Sequence, residues 1–189
     1  MNFPTFEQTL WSLLTFTRDV AKQTNESYNT EKAIRNLASH FGLTTEEREI
    51  EFEGGKVFRQ LVTTARDHLM GSGLLEGANR NFEITLEGKS LLKKKSILLD
   101  DKMLQEFGNY KFYLEELVED SKLNAKYYKE NKILSPHHKL IALKKFITDF
   151  NNKSKTTKEP SKVNTPIVQL NIRYSLEEQI SQLHQEHET

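Results

Sequence analysis

The sequence predicts a mainly α-helical protein with a small β-hairpin, and three observations support this fold class. Apolar residues recur at helical spacing in three stretches within the first 70 residues of the 189-residue chain. Two short alternating stretches follow, separated by a turn that contains Gly and Asn, which is the pattern of a hairpin. Beyond residue 108 the helical spacing returns in two longer stretches. Hydrophobic residues make up 36% of the chain, enough to fill a core.

The first two helices follow from their apolar faces and their boundaries. The first runs from Thr5 to about Lys22. The second has Thr30 as its cap and ends near His40, after which Gly42 takes the left-handed position. The residues expected to face the core are Phe6, Leu10, Leu13, Leu14 and Thr17 in the first helix, and Ala33, Ile34, Leu37 and Ala38 in the second.

A short acidic helix and a longer third helix come next. Thr44 or Thr45 caps the short helix, because Glu46 and Glu47 then lie where the macrodipole favours anions. The pair Gly54-Gly55 opens the third helix, over residues 56 to about 70. Its apolar face predicts packing against the other two helices.

The opposite face of the third helix carries cations and polar side chains. These are Lys56, Arg59, Gln60, Thr63 and Asp67, with Arg66 on the flank. Such side chains suit phosphate contacts and base edges. We therefore predict DNA-binding roles for Lys56, Arg59, Gln60, Thr63 and Arg66. The alternative is an ordinary amphipathic helix with a solvated polar face.

The hairpin gives the first half of the chain its predicted architecture. Leu74 to Glu76 forms one strand, residues 77–81 the turn, and Phe82 to Thr85 the second strand, before a short helix to Lys95. Three helices followed by a hairpin is the layout of a winged helix-turn-helix. In that layout one helix enters the major groove and the hairpin touches the adjacent DNA.

Several segments, in this order, resemble the N-terminal winged-helix domain of Mrr-type restriction proteins. They are Phe41-Gly42-Leu43-Thr44, Ala65-Arg66, Ser72-Gly73-Leu74-Leu75-Glu76, Phe82-Glu83-Ile84-Thr85, Gly88 and Leu91-Leu92. The resemblance covers roughly residues 5–95. It implies a DNA-targeting module in which Arg59, Arg66 and the wing residues Asn79, Arg80 and Asn81 face DNA. It also implies a setting in bacterial regulation or defence against foreign DNA.

The nuclease domain of that family is not expected here. Such a domain needs an acidic residue and an acid-x-Lys pair on a sheet that binds Mg²⁺. After Lys95 that spacing occurs at Glu130 and Lys132, but in a helical setting. We keep a metal-dependent nuclease only as a third alternative.

The second half is predicted as a helical arm, residues 96–151. One helix spans Asn109 to about Lys132, and another begins at Pro136. The two helices either pack against the winged-helix domain, residues 1–95, or pair with a second copy in a homodimer. A flexible linker, residues 152–166, then precedes a strand–helix tail, residues 167–189. The tail is predicted to dock on a sheet edge in this chain or in a larger complex.

Charge is balanced in total but not along the chain. There are 27 basic and 27 acidic residues, yet residues 122–162 hold 11 Lys against 3 acids. Residues 96–121 hold 2 basic against 7 acidic residues. A local positive potential of this kind attracts phosphate without reading sequence. A solvated lysine-rich surface is the alternative.

No catalytic or cofactor motif is found in the sequence. The chain has no cysteine, which excludes a thiolate zinc site and a thiol nucleophile. His137-His138 and the pair His184 and His187 lack the further ligands of a metal site. There is no membrane-length apolar run, and the start lacks the pattern of a signal peptide. We expect no catalytic residues, no cofactor, no metal, no membrane and a cytoplasmic location.

The leading hypothesis is a non-enzymatic protein that binds double-stranded DNA, with a regulatory or DNA-targeting role. The alternative, from another class, is an adaptor subunit whose winged helix and tail dock on proteins of a larger complex. The neutral total charge and the acids Asp67 and Glu76 near the predicted DNA face favour the adaptor.

Overall fold

A computed structural model of the protein describes residues 2–24, 28–78, 81–94 and 99–156. Met1–Thr157 form one compact unit. In these ranges the protein is mainly helical with small antiparallel sheets, as the sequence predicts. Among the described helices, none combines the length and the apolar character needed to cross a membrane. The predicted tail at 167–189 lies outside the described residues.

The first half contains five helices and five short strands in its described part. They are, in chain order, α1 Phe6–Thr24, β1 Tyr28–Asn29, α2 Thr30–His40, α3 Thr45–Arg48, β2 Glu51–Phe52, β3 Gly55–Lys56, α4 Val57–Gly71, β4 Leu75–Ala78, β5 Asn81–Ile84 and α5 Leu86–Lys93. The apolar faces of α1, α2 and α4 meet in the core, where Leu10, Leu37 and Leu61 are fully buried. This matches the helical periodicity of the sequence.

A three-stranded antiparallel sheet lies beside these helices. Its order is β1-β5-β4, so the strand between α1 and α2 pairs with the far strand of the hairpin, with Tyr28 opposite Phe82. The hairpin itself pairs Leu75 with Ile84. Phe82 and Ile84 are buried while Glu83 is exposed, which confirms the predicted alternation.

A second hairpin, which the sequence analysis does not predict, precedes α4. Strands β2 and β3 pair Phe52 with Gly55 across the two residues Glu53 and Gly54. Both turn residues have positive φ, 50° and 71°, the conformation of a type I′ hairpin turn. Glu replaces the Asn or Asp that usually marks this turn in a sequence, so the signal was weak. The helix consequently begins at Val57.

Two predicted caps are decided by the structure. The cap of α2 is Asn29 and not Thr30, since the Asn29 carboxamide oxygen accepts from the backbone N–H groups of Glu31 and Lys32. Thr44, of the two candidates, caps α3 through a reciprocal capping box with Glu47. Gly42 has a φ of 66°, as predicted after the second helix.

Four helices form the described second half. They are α6 Asp101–Leu104, α7 Gly108–Leu123, α8 Ala125–Asn131 and α9 Pro136–Thr156. The predicted single helix over 109–132 is divided at Asn124, whose backbone leaves the helical region at φ −101° and ψ 15°. The prediction of a flexible linker from residue 152 is wrong for 152–156, because α9 continues through Thr156 and the Ser154 hydroxyl donates to the Phe150 carbonyl.

The helices of the second half pack against the first half. Both α7 and α9 contact α4. The His68 Nδ1 atom lies 2.7 Å from the Tyr110 hydroxyl oxygen, inside the core. Lys144 of α9 forms ion pairs with Glu7 at 3.1 Å and with Asp101 at 2.5 Å. Of the two alternatives for this arm, folding back on the first half is therefore observed within the chain.

Candidate nucleic-acid interface

Helix α4 presents the polar face that the sequence singles out, and packing fixes its orientation. Val57, Phe58, Leu61, Val62, Ala65 and Leu69 are all buried. These residues anchor the helix on α1, α2 and the preceding hairpin. The side chains of Lys56, Arg59 and Arg66 remain accessible to different degrees, with 43%, 49% and 19% of their surface exposed. Exposure is therefore greatest at the N-terminal end of α4.

Arg59 is engaged by a carboxylate from the neighbouring helix. Its Nη1 and Nη2 atoms donate to the two carboxylate oxygens of Glu31, at 2.7 and 2.6 Å. This bidentate geometry is the one that a guanidinium also uses for phosphate. The hydrogen bond and charge of Glu31 raise the pKa of Arg59, against a smaller opposing effect of burial. The Arg59 guanidinium is therefore fixed in place, and its two Nη groups already bind the Glu31 carboxylate of the same chain.

Lys56 and Arg66 are also paired with acids. Lys56 Nζ lies 2.7 Å from the Glu49 carboxylate. Arg66 donates through Nε and Nη2 to Asp67 Oδ1, at 2.9 and 2.6 Å, and through Nη1 to the Thr30 hydroxyl at 2.9 Å. All three predicted cations of α4 thus have acidic partners, so the net potential of this face is much weaker than its cations alone suggest.

The two uncharged residues predicted on this face differ from one another. Thr63 is half-buried, and its hydroxyl donates to the carbonyls of its own helix, at 3.0 Å from Arg59 O and from Gln60 O. Gln60 is only 6% exposed, so its predicted place on the exposed face is wrong. Its Nε2 atom donates to the Phe52 and Gly55 carbonyls and holds the β2–β3 hairpin against α4. The physical reason is that this hairpin covers the first turn of α4.

The β4–β5 hairpin carries acids in its described part. Glu76 and Glu83 are exposed and lie directly opposite one another in the register. Like charges at such positions destabilise a hairpin and repel a polyanion. Asn81 is exposed at the start of β5, while Asn79 and Arg80 lie outside the described residues. The hairpin's predicted contact with DNA therefore stays a prediction.

The lysines of residues 122–162 differ in their surroundings: some are exposed, and Lys144 is packed against the first half of the chain. Lys144 is structural: burial lowers its pKa, and the hydrogen bonds and charges of Asp101 and Glu7 raise it by more, so that it lies above its ordinary value. Its ammonium also lies 4.7 Å from the centre of the Phe6 ring. The exposed members along α7 and α8 are Lys122, Lys126, Lys129 and Lys132. Lys145 and Lys153 of α9 are exposed as well, and these six lysines can attract phosphate at the surface.

The histidines that the sequence analysis considered as ligands have other surroundings. The His138 Nδ1 atom lies 2.8 Å from the Ser135 hydroxyl oxygen, which is itself 2.7 Å from that of Ser121. Within the described ranges no group of three or more His, Asp or Glu side chains has the arrangement of a metal site. His184 and His187 lie outside those ranges.

The acids Glu31 and Glu49 are the part of this surface that sequence reasoning missed. Glu49 is separated in the chain from its partner Lys56 by the β2–β3 turn. Glu31 lies on another helix than its partner Arg59, and the two meet because α2 crosses α4. Asp67, next to Arg66, was visible from local spacing.

No family model, no curated protein and no solved structure matches the chain. The functional interpretation consequently depends on the residues and the fold described above.

Proposed function

We propose that the protein binds double-stranded DNA, with its first 95 residues acting as a winged helix and α4 as the helix that approaches the groove. The observation that carries this proposal is the element order. A short strand between α1 and α2 joins the sheet of the hairpin that directly follows α4. In a winged helix, one helix enters the major groove and the hairpin that follows it contacts the adjacent DNA.

The proposed contacts with the duplex begin with Arg59 and Arg66. Arg59 is held with half of its side chain exposed, and a phosphate matches the planar fork that Glu31 now occupies. Arg66 donates to the Thr30 hydroxyl at the N-terminal end of α2 and to the Asp67 carboxylate beside it on α4. The proposed interface also includes Lys56, Thr63 and Asn81 at the start of β5, together with Asn79 and Arg80. The exposed lysines of α7 and α8 add attraction that is independent of sequence.

A regulatory or DNA-targeting role in a bacterial restriction or defence system is part of the proposal. It depends on the resemblance of residues 5–95 to the N-terminal domain of Mrr-type restriction proteins. We propose that this chain itself acts without catalysis, as the targeting component, and that it works in the cytoplasm.

Fluorescence anisotropy against a random DNA duplex over a salt series tests the proposal. The logarithm of the affinity should fall linearly with the logarithm of the salt concentration, and Arg59→Ala/Arg66→Ala should reduce that slope by about two phosphate contacts. Arg18→Ala is the matched control, because Arg18 also pairs with the following aspartate, at 2.8 Å, but lies on α1. Absence of binding at low salt by the folded wild-type protein would refute the proposal.

The ion pair between Arg59 and Glu31 allows a second test with the same DNA titration. Glu31→Gln removes the anion that occupies the Arg59 fork, so DNA should bind several-fold more tightly at low salt. Glu7→Gln is the control, because Glu7 pairs with Lys144 at the α1–α9 contact. Equal affinities for wild type and Glu31→Gln would remove Arg59 from the proposed interface.

A protein-binding adaptor is the second candidate, and the acids favour it. Glu31, Glu49 and Asp67 pair with the α4 cations, and Glu76 faces Glu83 on the hairpin. A surface of alternating charge suits a protein partner better than a polyanion. Two results together would favour the adaptor. The protein would bind no DNA duplex, and it would capture a protein partner in an affinity experiment that the double substitution Glu76→Lys/Glu83→Lys abolishes.

A further inference from the structure

Arg59 is the arginine of α4 that lies nearest to the start of the helix. It belongs to the first turn of α4, and 49% of its side-chain surface is exposed, against 19% for Arg66 about two turns later. In helix-turn-helix proteins the N-terminal residues of the recognition helix contact base edges in the major groove. When α4 approaches DNA as in the proposed function, Arg59 is therefore placed to contact a base and not only a phosphate.

The carboxylate of Glu31 occupies one edge of the Arg59 guanidinium and leaves another edge for a ligand. Arg59 Nη1 donates to Glu31 Oε1 at 2.7 Å, and Nη2 donates to Oε2 at 2.6 Å. A guanidinium has five N–H donors, one on Nε and two on each Nη. The two bonds to Glu31 use one donor of each Nη. The Nε–H and the outer N–H of the adjacent Nη are a second pair of parallel donors, and no acceptor among the described residues binds them.

Glu31 also fixes the direction of this second edge. It lies in the first turn of α2, which packs against α4 and is capped by the Asn29 side chain. Two hydrogen bonds to one carboxylate set the plane of the guanidinium. A donor pair whose orientation is fixed before binding loses less conformational entropy on binding than a mobile arginine does. Glu31 is thus a positioning residue for Arg59.

The negative charge of Glu31 favours a neutral acceptor over an anionic one. The ion pair has no net charge, and a phosphate that approaches Arg59 also meets the Glu31 carboxylate, because 40% of the Glu31 side chain is exposed. Repulsion between the two anions offsets much of the attraction to the cation. A neutral acceptor is repelled far less, since it carries a partial charge and not a full one. The second edge of Arg59 is therefore better suited to a base than to the DNA backbone.

Guanine presents the pair of acceptors that this edge matches. Its O6 and N7 atoms lie side by side in the major groove, and arginine bonded to both is the commonest specific contact with DNA. At the same edge adenine has one acceptor and one donor, cytosine has a donor, and thymine has one acceptor and a methyl group. Resting on the proposed function, we propose that Arg59 reads one guanine of the DNA site through its Nε–Nη edge. Glu31 makes this contact selective by positioning Arg59.

Selection by the full chain from a library of random DNA duplexes tests this base preference. The duplexes enriched by the wild type should share a guanine at one position, and replacing its G·C pair by another pair should weaken binding about five- to 150-fold. 7-Deazaguanine at that position lacks the N7 acceptor and should weaken binding several-fold. Inosine is the matched control, because it keeps O6 and N7 and lacks only the minor-groove amine. It should bind like guanine.

Two variants separate base reading from general attraction to DNA. Arg59→Lys keeps the positive charge without the planar donor pair, so it should bind a random duplex but show no preference for guanine at that position. Glu31→Gln should bind a random duplex more tightly and yet discriminate guanine less, because an amide accepts through one oxygen and no longer fixes the guanidinium plane. A variant that only perturbs the fold would lower both quantities. Arg18→Lys and Glu7→Gln, on α1, are the controls and should keep the wild-type preference.

Three results would overturn this inference while salt-dependent binding to the random duplex stays intact. They are an enriched pool without a shared guanine, a wild type that binds 7-deazaguanine as tightly as guanine, and a preference for guanine that survives Arg59→Lys or Glu31→Gln. Loss of binding to every duplex would refute the proposed function as well, so the two failures are distinguishable.

Discussion

The buried imidazole of His68 makes stability depend on pH in a defined window. His68 is 2% exposed, and its ring packs edge-on against Phe6 and Tyr113, with centroids 5.3 and 5.2 Å apart. Burial lowers its pKa from 6.5 to about 4, with the charge of Asp101 opposing that effect and Lys144 adding to it. The Tyr110 hydroxyl beside it also has a raised pKa, through burial first and the Asp101 charge second. The pair is therefore uncharged at neutral pH.

The size of the effect follows from the two pKa values. Between pH 6.5 and about 4 the unfolded chain binds a proton at this position and the folded protein does not, so stability falls as the pH decreases. The contribution is complete above pH 6.5. Its full loss amounts to about 3 kcal/mol, reached below about pH 4, because one pH unit corresponds to about 1.4 kcal/mol. From about pH 7 to about pH 5 the expected loss is ~2 kcal/mol.

Urea unfolding at these two pH values, for wild type and His68→Gln, measures this contribution. Other titrating groups act in both proteins, so the difference between their pH dependences isolates His68. The wild type should lose about 2 kcal/mol more than the variant on acidification. Equal losses in both proteins would show that His68 is accessible to protons in the folded state, and the reasoning from burial would be refuted.

Two further substitutions, together with one control substitution, test the packing of the fold. In Gly88→Ala the new Cβ would lie 2.4 Å from the Leu74 carbonyl oxygen, which is backbone and cannot move aside, so we expect a loss of about 1–3 kcal/mol in thermal or urea unfolding. Gly108→Ala meets nothing within 4 Å and should be neutral or slightly stabilising, and a similar loss in both would contradict the packing argument. Gln60→Leu leaves the Phe52 and Gly55 carbonyls without their amide donor and should cost about 1–3 kcal/mol in the same assay, whereas an unchanged midpoint would show that the β2–β3 hairpin does not need it.

Periodicity predicted the helices of the first half well, whereas capping did so only in part, because Asn29 and not Thr30 caps α2. The buried positions Phe6, Leu10, Leu13 and Leu14 of α1 repeat at helical spacing, and the alternation at Phe82 and Ile84 marks a strand. These signals are local: each residue's burial is decided by neighbours three or four positions away, or two in a strand. The left-handed Gly42 belongs to the same class, since the helix end itself requires it.

The surface chemistry of α4 depended on contacts that no local pattern encodes. Helical spacing gave Gln60 an exposed position, but the hairpin at Glu53 and Gly54 folds over that turn and buries it. Arg59 looked like a free cation because Glu31 lies 28 residues away in the chain. The pairing of Glu31 with Arg59 depends on how α2 crosses α4. The sequence of either helix alone does not predict it.

The two ends of the compact unit are joined by side chains. Asn151 accepts from the Phe3 N–H at 2.7 Å and donates to the Phe3 carbonyl at 2.9 Å, while Phe150 packs edge-on against the Phe3 ring at 5.2 Å. Topologically this part of the chain is a ring that is closed without a covalent bond. A circular permutant, with these ends joined by a short peptide and new termini opened in an exposed turn such as that at Gly54, should keep the native fold. A native permutant would show that the fold does not depend on the order in which its helices and strands are synthesised.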